Sequence, residues 1–466
     1  MASETTTASP TRAGSALLSV LAALLVYLAA SGRLLSPTLF VLALGGAGVA
    51  LWAQRHVALV AGLGIAAVCL IPIYWTRQVA FPVYPTPAVL ASLVLLPVAV
   101  TQLRKVRLVG LDWAFGLYVV LLTMSTTLVL GGNRTAVIQL LTATALPYVA
   151  FRAVAADPAV RRGLAIGIAA ASAVLAPVAF YEIGGGDNPF FTLVTPRYLA
   201  GIWAHAEVRF DTTRAEASFG HPIAFGMFLV VALLLALGLS RESRRPTIGL
   251  VVAGLTTAAL IGTLSRGPLV AAAIGVVLWL LARRRALGRR DLALVALVAL
   301  ALLVVPPARD TVGKLVNATF GQSDEASTAT YRVDLFRVAQ DPAQFSLFGQ
   351  SASGVAGGGT NSLRNRTQVD SIDSEYVLIY LRNGLLPLAA FSALLVLALR
   401  TLARGGLPPL DTAWLAAAAA VMIGLLSVAL ITQFAAVAYM VLGVAAATTQ
   451  VPTVFSPRTT EESSDS

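Results

Sequence analysis

Cysteine is almost missing from this chain: Cys69 is the only one in 466 residues, so no disulfide can close within it. Histidine is nearly as scarce. His56, His205 and His221 are the full set, and they show no zinc-ligand spacing. Charged residues make up only 12% of the sequence. Neither a P-loop nor a dinucleotide-binding glycine fingerprint occurs. These shortages argue against a zinc enzyme, a nucleotide-binding enzyme and a soluble globular core. No metal site and no cofactor are expected.

What the chain has is apolar length. Mean hydropathy is +0.81, and apolar runs recur from end to end. A membrane-spanning helix needs about 20 mainly apolar residues. The expected fold is therefore all-α: a polytopic helical membrane protein with about 12–14 transmembrane helices. The expected spans are 15–30, 37–52, 57–75, 87–101, 109–130, 135–151, 163–181, 219–239, 247–263, 268–281, 292–305, 385–399, 412–430 and 433–446. The first run lacks a strongly basic lead and a small-residue cleavage site, so it is read as a span rather than a removed signal peptide. Cys69 lies inside a run and reads as a small packing residue.

Net charge is +11. The basic residues cluster between spans, so the excess reads as positive-inside bias, and no nucleic-acid partner is expected. Alternating the spans from a cytoplasmic N-terminus gives one face Arg55, Arg104-Lys105-Val106-Arg107, Arg152 with Arg161-Arg162, Arg241 with Arg244-Arg245, Arg283-Arg284-Arg285 with Arg289-Arg290, and Arg400 with Arg404. The opposite face receives single arginines: Arg33, Arg77, Arg134 and Arg266. This asymmetry predicts cytoplasmic termini, with disordered polar tails at 1–9 and 450–466. It also predicts three features on the outer face: a loop at 182–217, the Ser265-Arg266 turn, and a long loop at 307–384. A polar segment as long as the last is more often functional than passive.

Each polar patch admits a plain reading beside a chemical one. Arg266, in Thr263-Leu264-Ser265-Arg266-Gly267-Pro268, is either a turn residue reaching the headgroups or a planar, permanently charged phosphate ligand. Arg214 precedes a span and reads by default as an interfacial anchor. His221, at the mouth of that span, is a cavity-lining polar residue or a ligand donor. Arg332 lies in 328–340, an amphipathic stretch expected to rest on the membrane surface. Asp373 and Glu375 are helix-start acids favoured by the dipole, or a base for a hydroxyl nucleophile. Asp373 to Arg382 covers about 14 Å as a helix. It is expected to stand above a span that begins near Leu385, with Arg382-Asn383-Gly384 as the break.

Taken in order, these patches resemble the O-antigen ligase and polymerase superfamily. Arg214-Ala215-Glu216-Ala217-Ser218-Phe219-Gly220-His221-Pro222 is similar to the family's arginine followed by a His-Pro helix start. Thr263-Leu264-Ser265-Arg266-Gly267 is similar to its Ser-Arg-Gly turn. Arg332 with Leu347-Phe348-Gly349 resembles its loop arginine and later glycine element. Asp373-Ser374-Glu375-Tyr376 with Gly384 resembles its (His or Asp)-Asn-x-Tyr motif and downstream glycine. Three positions depart. Ile223 and Ser374 stand where asparagine is usual, and Asp373 stands where the ligases carry a histidine.

The resemblance implies a membrane glycosyltransferase fold of the GT-C-like class. It also implies transfer of a glycan from an undecaprenyl-pyrophosphate carrier to an acceptor hydroxyl, a glycan or a lipid, without a metal. Arg214, Arg266 and Arg332 would hold the pyrophosphate. Asp373 or Glu375 would act as base, and His221, Ser265 and Tyr376 would contact substrate. Polymerase and ligase stay open. A transporter or flippase for a lipid-linked or anionic substrate is the alternative from another class, and a non-catalytic export factor is a third. Transporters concentrate polar residues near the midplane, whereas here most sit at span ends.

Overall fold

A computed structural model of the chain describes residues 55–72, 86–104, 106–129, 134–193, 206–209, 212–284, 336–337, 339–340, 345–349 and 373–450. The expected spans 15–30, 37–52 and 292–305, Arg332 and most of the 328–340 stretch fall outside them.

The elements follow the apolar runs. They are α1 (Val57–Leu70), α2 (Pro87–Leu103), α3 (Gly110–Met124), α4 (Arg134–Leu140), α5 (Leu146–Val154) and α6 (Pro158–Ile183), then α7 (Pro222–Glu242), α8 (Pro246–Gly262) and α9 (Arg266–Ala282), then α10 (Glu375–Asn383), α11 (Leu385–Arg404), α12 (Pro409–Gly424) and α13 (Phe434–Thr448). A π-turn extends α3 through Val129, and another joins α4 to α5. The described strands are one two-residue hairpin, β1 (Val208–Arg209) and β2 (Thr212–Thr213). Among the described residues, five helices are long and apolar enough to cross a membrane, and six shorter ones are apolar. The chain is an all-α polytopic membrane protein.

Local chemistry starts these helices. Proline opens α2, α6, α7, α8 and α12, where its missing N–H costs nothing. Thr86 accepts from Val89 N at 3.3 Å, and Asp157 accepts from Ala159 N at 2.8 Å. In α7 every residue from 224 to 238 is buried. A helix that is apolar all round belongs at the centre of a bundle, and α12 and α13 pack there with it. On α3, α9 and α11 an apolar face is left open, with Leu117, Val277 and Val396 more than half exposed. In a membrane protein that face meets lipid.

The α1–α6 contact is backbone to backbone. A Cβ on Gly167 would stand 2.1 Å from Gly62 O, and one on Gly163 would stand 2.3 Å from Ala58 O. Only glycine permits that approach.

Two sequence expectations are corrected. The span expected at 412–430 ends earlier: α12 runs from Pro409 to Gly424, and 425–433 is a turn that leads into α13. Arg152 and Arg161, read as loop charges of the basic face, are each only 3% exposed and paired inside the bundle. Arg152 donates to both carboxylate oxygens of Asp112, at 2.8 and 2.9 Å, and to Arg107 O at 3.1 Å. Arg161 holds Asp411 in the same two-pronged way at 2.7 and 3.1 Å, and donates to Ala155 O at 2.9 Å. Arg162, next in sequence, is exposed.

Candidate functional site

The polar segment after α6, the turn before α9 and the start of α10 lie at one end of the bundle, opposite the Arg152 and Arg161 pairs. Glu182, at the end of α6, fastens the first of them. It accepts from Glu216 N at 2.8 Å and from Ala217 N at 3.1 Å. Ala215 N donates to Gly262 O at 3.1 Å, which ties the segment to the end of α8. The hairpin adds a further tie, since Arg209 Nη1 donates to Leu264 O at 3.0 Å.

Arg214 sits at the centre. It is 9% exposed. Its Nε donates to Thr263 O at 3.0 Å and its Nη2 to Ser265 Oγ at 2.7 Å. Its Nη1 pairs with Glu207 Oε2. The other Glu207 oxygen, Oε1, stands 3.3 Å from His221 Nε2. His221 caps α7, with Nδ1 accepting from Ile223 N at 3.2 Å. An Nδ1 that accepts is unprotonated, so the ring proton lies on Nε2, facing Glu207. Arg266 opens α9 beside Ser265 and is half-buried. Arg214, Ser265 and His221 are thus brought into one network, with Glu207 joining its two halves and Arg266 following Ser265 in the chain.

Beneath them, Glu216 is 2% exposed and accepts from Glu207 N at 3.3 Å. Burial pushes its carboxyl up to about 8. The neighbouring charges of Glu182 and Glu207 push the same way, against the Glu207 N–H and Arg214.

The Asp373 patch reaches the same turn by a second route. Ser374 caps α10, accepting from Val377 N at 3.4 Å. Glu375 N donates to Leu425 O at 3.0 Å and Val428 O at 3.1 Å. Glu375 Oε2 accepts from Leu430 N at 2.8 Å. The 425–433 turn is therefore built around Glu375. On its other side, a Cβ on Gly267 would stand 2.9 Å from Ser427 Oγ and 3.3 Å from Val428 Cγ2. The turn is the bridge between Gly267, next to Ser265-Arg266, and Glu375 at the start of α10.

The two carboxylates differ. Asp373 is half-exposed, while Glu375 is buried and bonded to the turn. Burial raises Glu375 to about 7, opposed by Leu430 N–H and Arg382. Tyr376 is buried too, edge-on to Phe391 with ring centroids 5.3 Å apart. Burial also pushes its phenol up.

Gly349 and Gly384 meet. At Gly384 φ is +97°, and a Cβ there would stand 2.3 Å from Gly349 N. Leu385 N and Leu386 N donate to Ser346 O and Leu347 O at 2.9 and 3.1 Å, so the 345–349 segment caps the first turn of α11. Asn383 Nδ2 donates to Ser125 Oγ at 3.1 Å and links this break to the π-turn after α3.

The described non-glycine residues at positive φ are Ala217, Leu264 and Thr432, at 45°, 50° and 52°. One lies in each of the three loops that form this end. Each immediately precedes a bonding side chain: Ser218 donates to Cys69 O at 2.6 Å, Ser265 receives Arg214, and Gln433 donates to Ser218 O at 3.0 Å. Backbone strain gathered at one place is a mark of functional sites.

Sequence reasoning did not single out Glu207 or the 425–433 turn. Glu207 stood among several charged residues of its loop, and the turn lies in an unbroken apolar run. Among the described residues, no group of three or more His, Cys, Asp or Glu stands close enough to hold a metal ion.

A family model described as O-antigen ligase matches residues 250–392. The match covers Ser265, Arg266, Asp373, Glu375, Tyr376 and Gly384. Glu207, Arg214 and His221 precede it. No curated protein sequence matches the chain.

Proposed function

We propose, on the premise that residues 250–392 belong to the O-antigen ligase/polymerase superfamily, that this protein is a membrane glycosyltransferase. It moves a glycan from an undecaprenyl-pyrophosphate carrier to an acceptor hydroxyl, at the extracytoplasmic face of the cytoplasmic membrane. The observation that carries this reading is the convergence of Arg214, Ser265-Arg266 and the start of α10 on one end, through the Arg214–Ser265 bond and the Gly267–Val428–Glu375 contacts.

The leaving group is a lipid pyrophosphate, whose charge grows as the sugar–oxygen bond breaks. Arg266 and Arg214, with Arg332 from the long loop, neutralise it. Fixed charges in a partly dry site are usually the largest catalytic contribution, and a guanidinium offers paired donors to two phosphate oxygens. Asp373, the half-exposed carboxylate, orients the acceptor hydroxyl and takes its proton. Glu375 instead fastens the 425–433 turn to the start of α10, two residues from Asp373. His221 contacts the donor. Ser265 acts by positioning Arg214, and Tyr376 seats α10 on Phe391.

The test is the surface-glycan profile of a deletion strain complemented with wild type or Arg266→Ala. Single repeat units in place of a long ladder identify a polymerase. Full-length glycan retained on its lipid carrier identifies a ligase. An unchanged profile overturns the glycosyltransferase reading in favour of transport.

A further inference from the structure

Glu207 presents two oxygens to two cation-side donors: Oε2 to Arg214 Nη1 and Oε1 to His221 Nε2, the latter at 3.3 Å. A phosphoryl group presents the same thing, a pair of anionic oxygens that can bridge neighbouring donors. We propose that Glu207 is a displaceable counter-anion. Its carboxylate occupies the phosphate-binding donors of Arg214 and His221 in the lipid-free protein and yields them to the donor's pyrophosphate. The proposal rests on the reading of Arg214 as a pyrophosphate ligand.

Three observations support displacement over permanent bridging. First, both donors are held from behind without Glu207. Arg214 is fixed by Thr263 O at 3.0 Å and Ser265 Oγ at 2.7 Å, and His221 by Ile223 N at 3.2 Å. They stay aimed when the carboxylate leaves.

Second, the Glu207 backbone is anchored while its side chain reaches solvent. Glu207 O accepts from Arg214 N at 2.9 Å, Glu207 N donates to Glu216 at 3.3 Å, and the hairpin beside it is pinned through Arg209. The Glu207 side chain is 27% exposed against 11% for Arg214. A change of rotamer releases it, and the hairpin stays closed.

Third, the charge exchange is clean. Burial pushes the carboxyl of Glu216, below, up from its ordinary value, and Glu207 is the carboxylate in contact with the Arg214 guanidinium. When it swings out, an uncompensated guanidinium faces the site, and an incoming phosphate restores neutrality. The exchange also keeps a buried arginine from standing unpaired between turnovers.

The experiment measures inorganic pyrophosphate binding to the purified full-length protein in detergent by titration calorimetry. Glu207→Gln removes the competing charge and keeps the shape, so affinity is expected to rise about fivefold, the scale of one partly exposed ion pair. Affinity that is unchanged or weaker makes Glu207 a fixed holder and overturns the proposal. Should Glu207→Gln fail to fold, Glu207→Asp carries the test. Its shorter arm cannot bridge both donors, so affinity rises by a smaller factor, and the absence of any rise overturns the proposal. Arg214→Ala separates the two levels of the argument. It is expected to lose pyrophosphate binding, and wild-type affinity in that variant removes Arg214 from the site itself, whatever Glu207 does.

Discussion

The two ends of this bundle treat arginine in opposite ways. At one end Arg152 and Arg161 are each clasped by one aspartate through both carboxylate oxygens, with both partners of each pair almost wholly buried. At the other end Arg214 shares its carboxylate with a histidine, and both of those partners are 27% exposed. The first arrangement is finished. It joins α3 to α5 and α6 to α12, and its donors are turned toward groups of the chain itself. The second is the one proposed to rearrange, and it sits among strained backbone at Ala217, Leu264 and Thr432. On the proposed function, similar residues serve cohesion at one end and chemistry at the other, and burial of the counter-ion separates the two.

The largest effect that tests this contrast is on stability at the closed end. Asp411→Ala leaves Arg161 buried without its counter-ion, which costs about 3–5 kcal/mol. A large fall in the detergent melting temperature is expected, with transfer per folded molecule preserved. Replacing Arg161 and Asp411 together by Met and Leu should recover much of the loss. Normal stability with lost transfer in Asp411→Ala would move the chemistry to that end.

At the open end the pattern reverses. Asp373→Asn should lower transfer about 10²–10⁴-fold, the usual contribution of a positioned base, with melting temperature and donor binding retained. Arg266→Lys should lose about 10²-fold and fall close to Arg266→Ala, because an ammonium cannot reproduce a two-pronged contact. A fully active lysine variant removes that role.

The smallest effect is a pH slope. Burial pushes the Glu216 carboxyl in the folded chain up to about 8, from an ordinary 4.5. Between those values the unfolded chain loses a proton that the folded chain keeps, so stability falls as pH rises through that window and levels off above it. Thermal unfolding of Glu216→Gln should show a shallower slope across the window. An identical slope would assign the effect to other groups.

Much of the fold was legible because a spanning helix writes itself as an apolar run. The break at Gly384 was legible for a related reason: Arg382-Asn383-Gly384 interrupts a helical pattern, and Gly384 does adopt a φ of +97°. The closed ion pairs were not. Arg152 and Asp112 are 40 residues apart, and Arg161 and Asp411 are 250 apart. Locally each arginine has the same signature as an exposed cytoplasmic charge. The 425–433 turn was hidden because nothing in Leu425-Leu426-Ser427-Val428-Ala429-Leu430 stops a helix; the stop comes from Glu375, whose N–H and carboxylate claim its backbone groups. At the open end, Arg214, Ser265, Arg266 and Asp373 could be picked out by residue type and order. Glu207 could not, because its meaning lies in standing between Arg214 and His221.

The most direct measurement supplies the purified protein in lipid nanodiscs with a lipid-pyrophosphate-linked glycan and an acceptor, and follows release of polyprenyl pyrophosphate. Wild type should release it in step with glycan transfer. Arg266→Ala and Asp373→Asn, with unchanged melting temperatures, should release almost none. Undiminished release from either folded variant would contradict the placement of the chemistry at the Arg214 end.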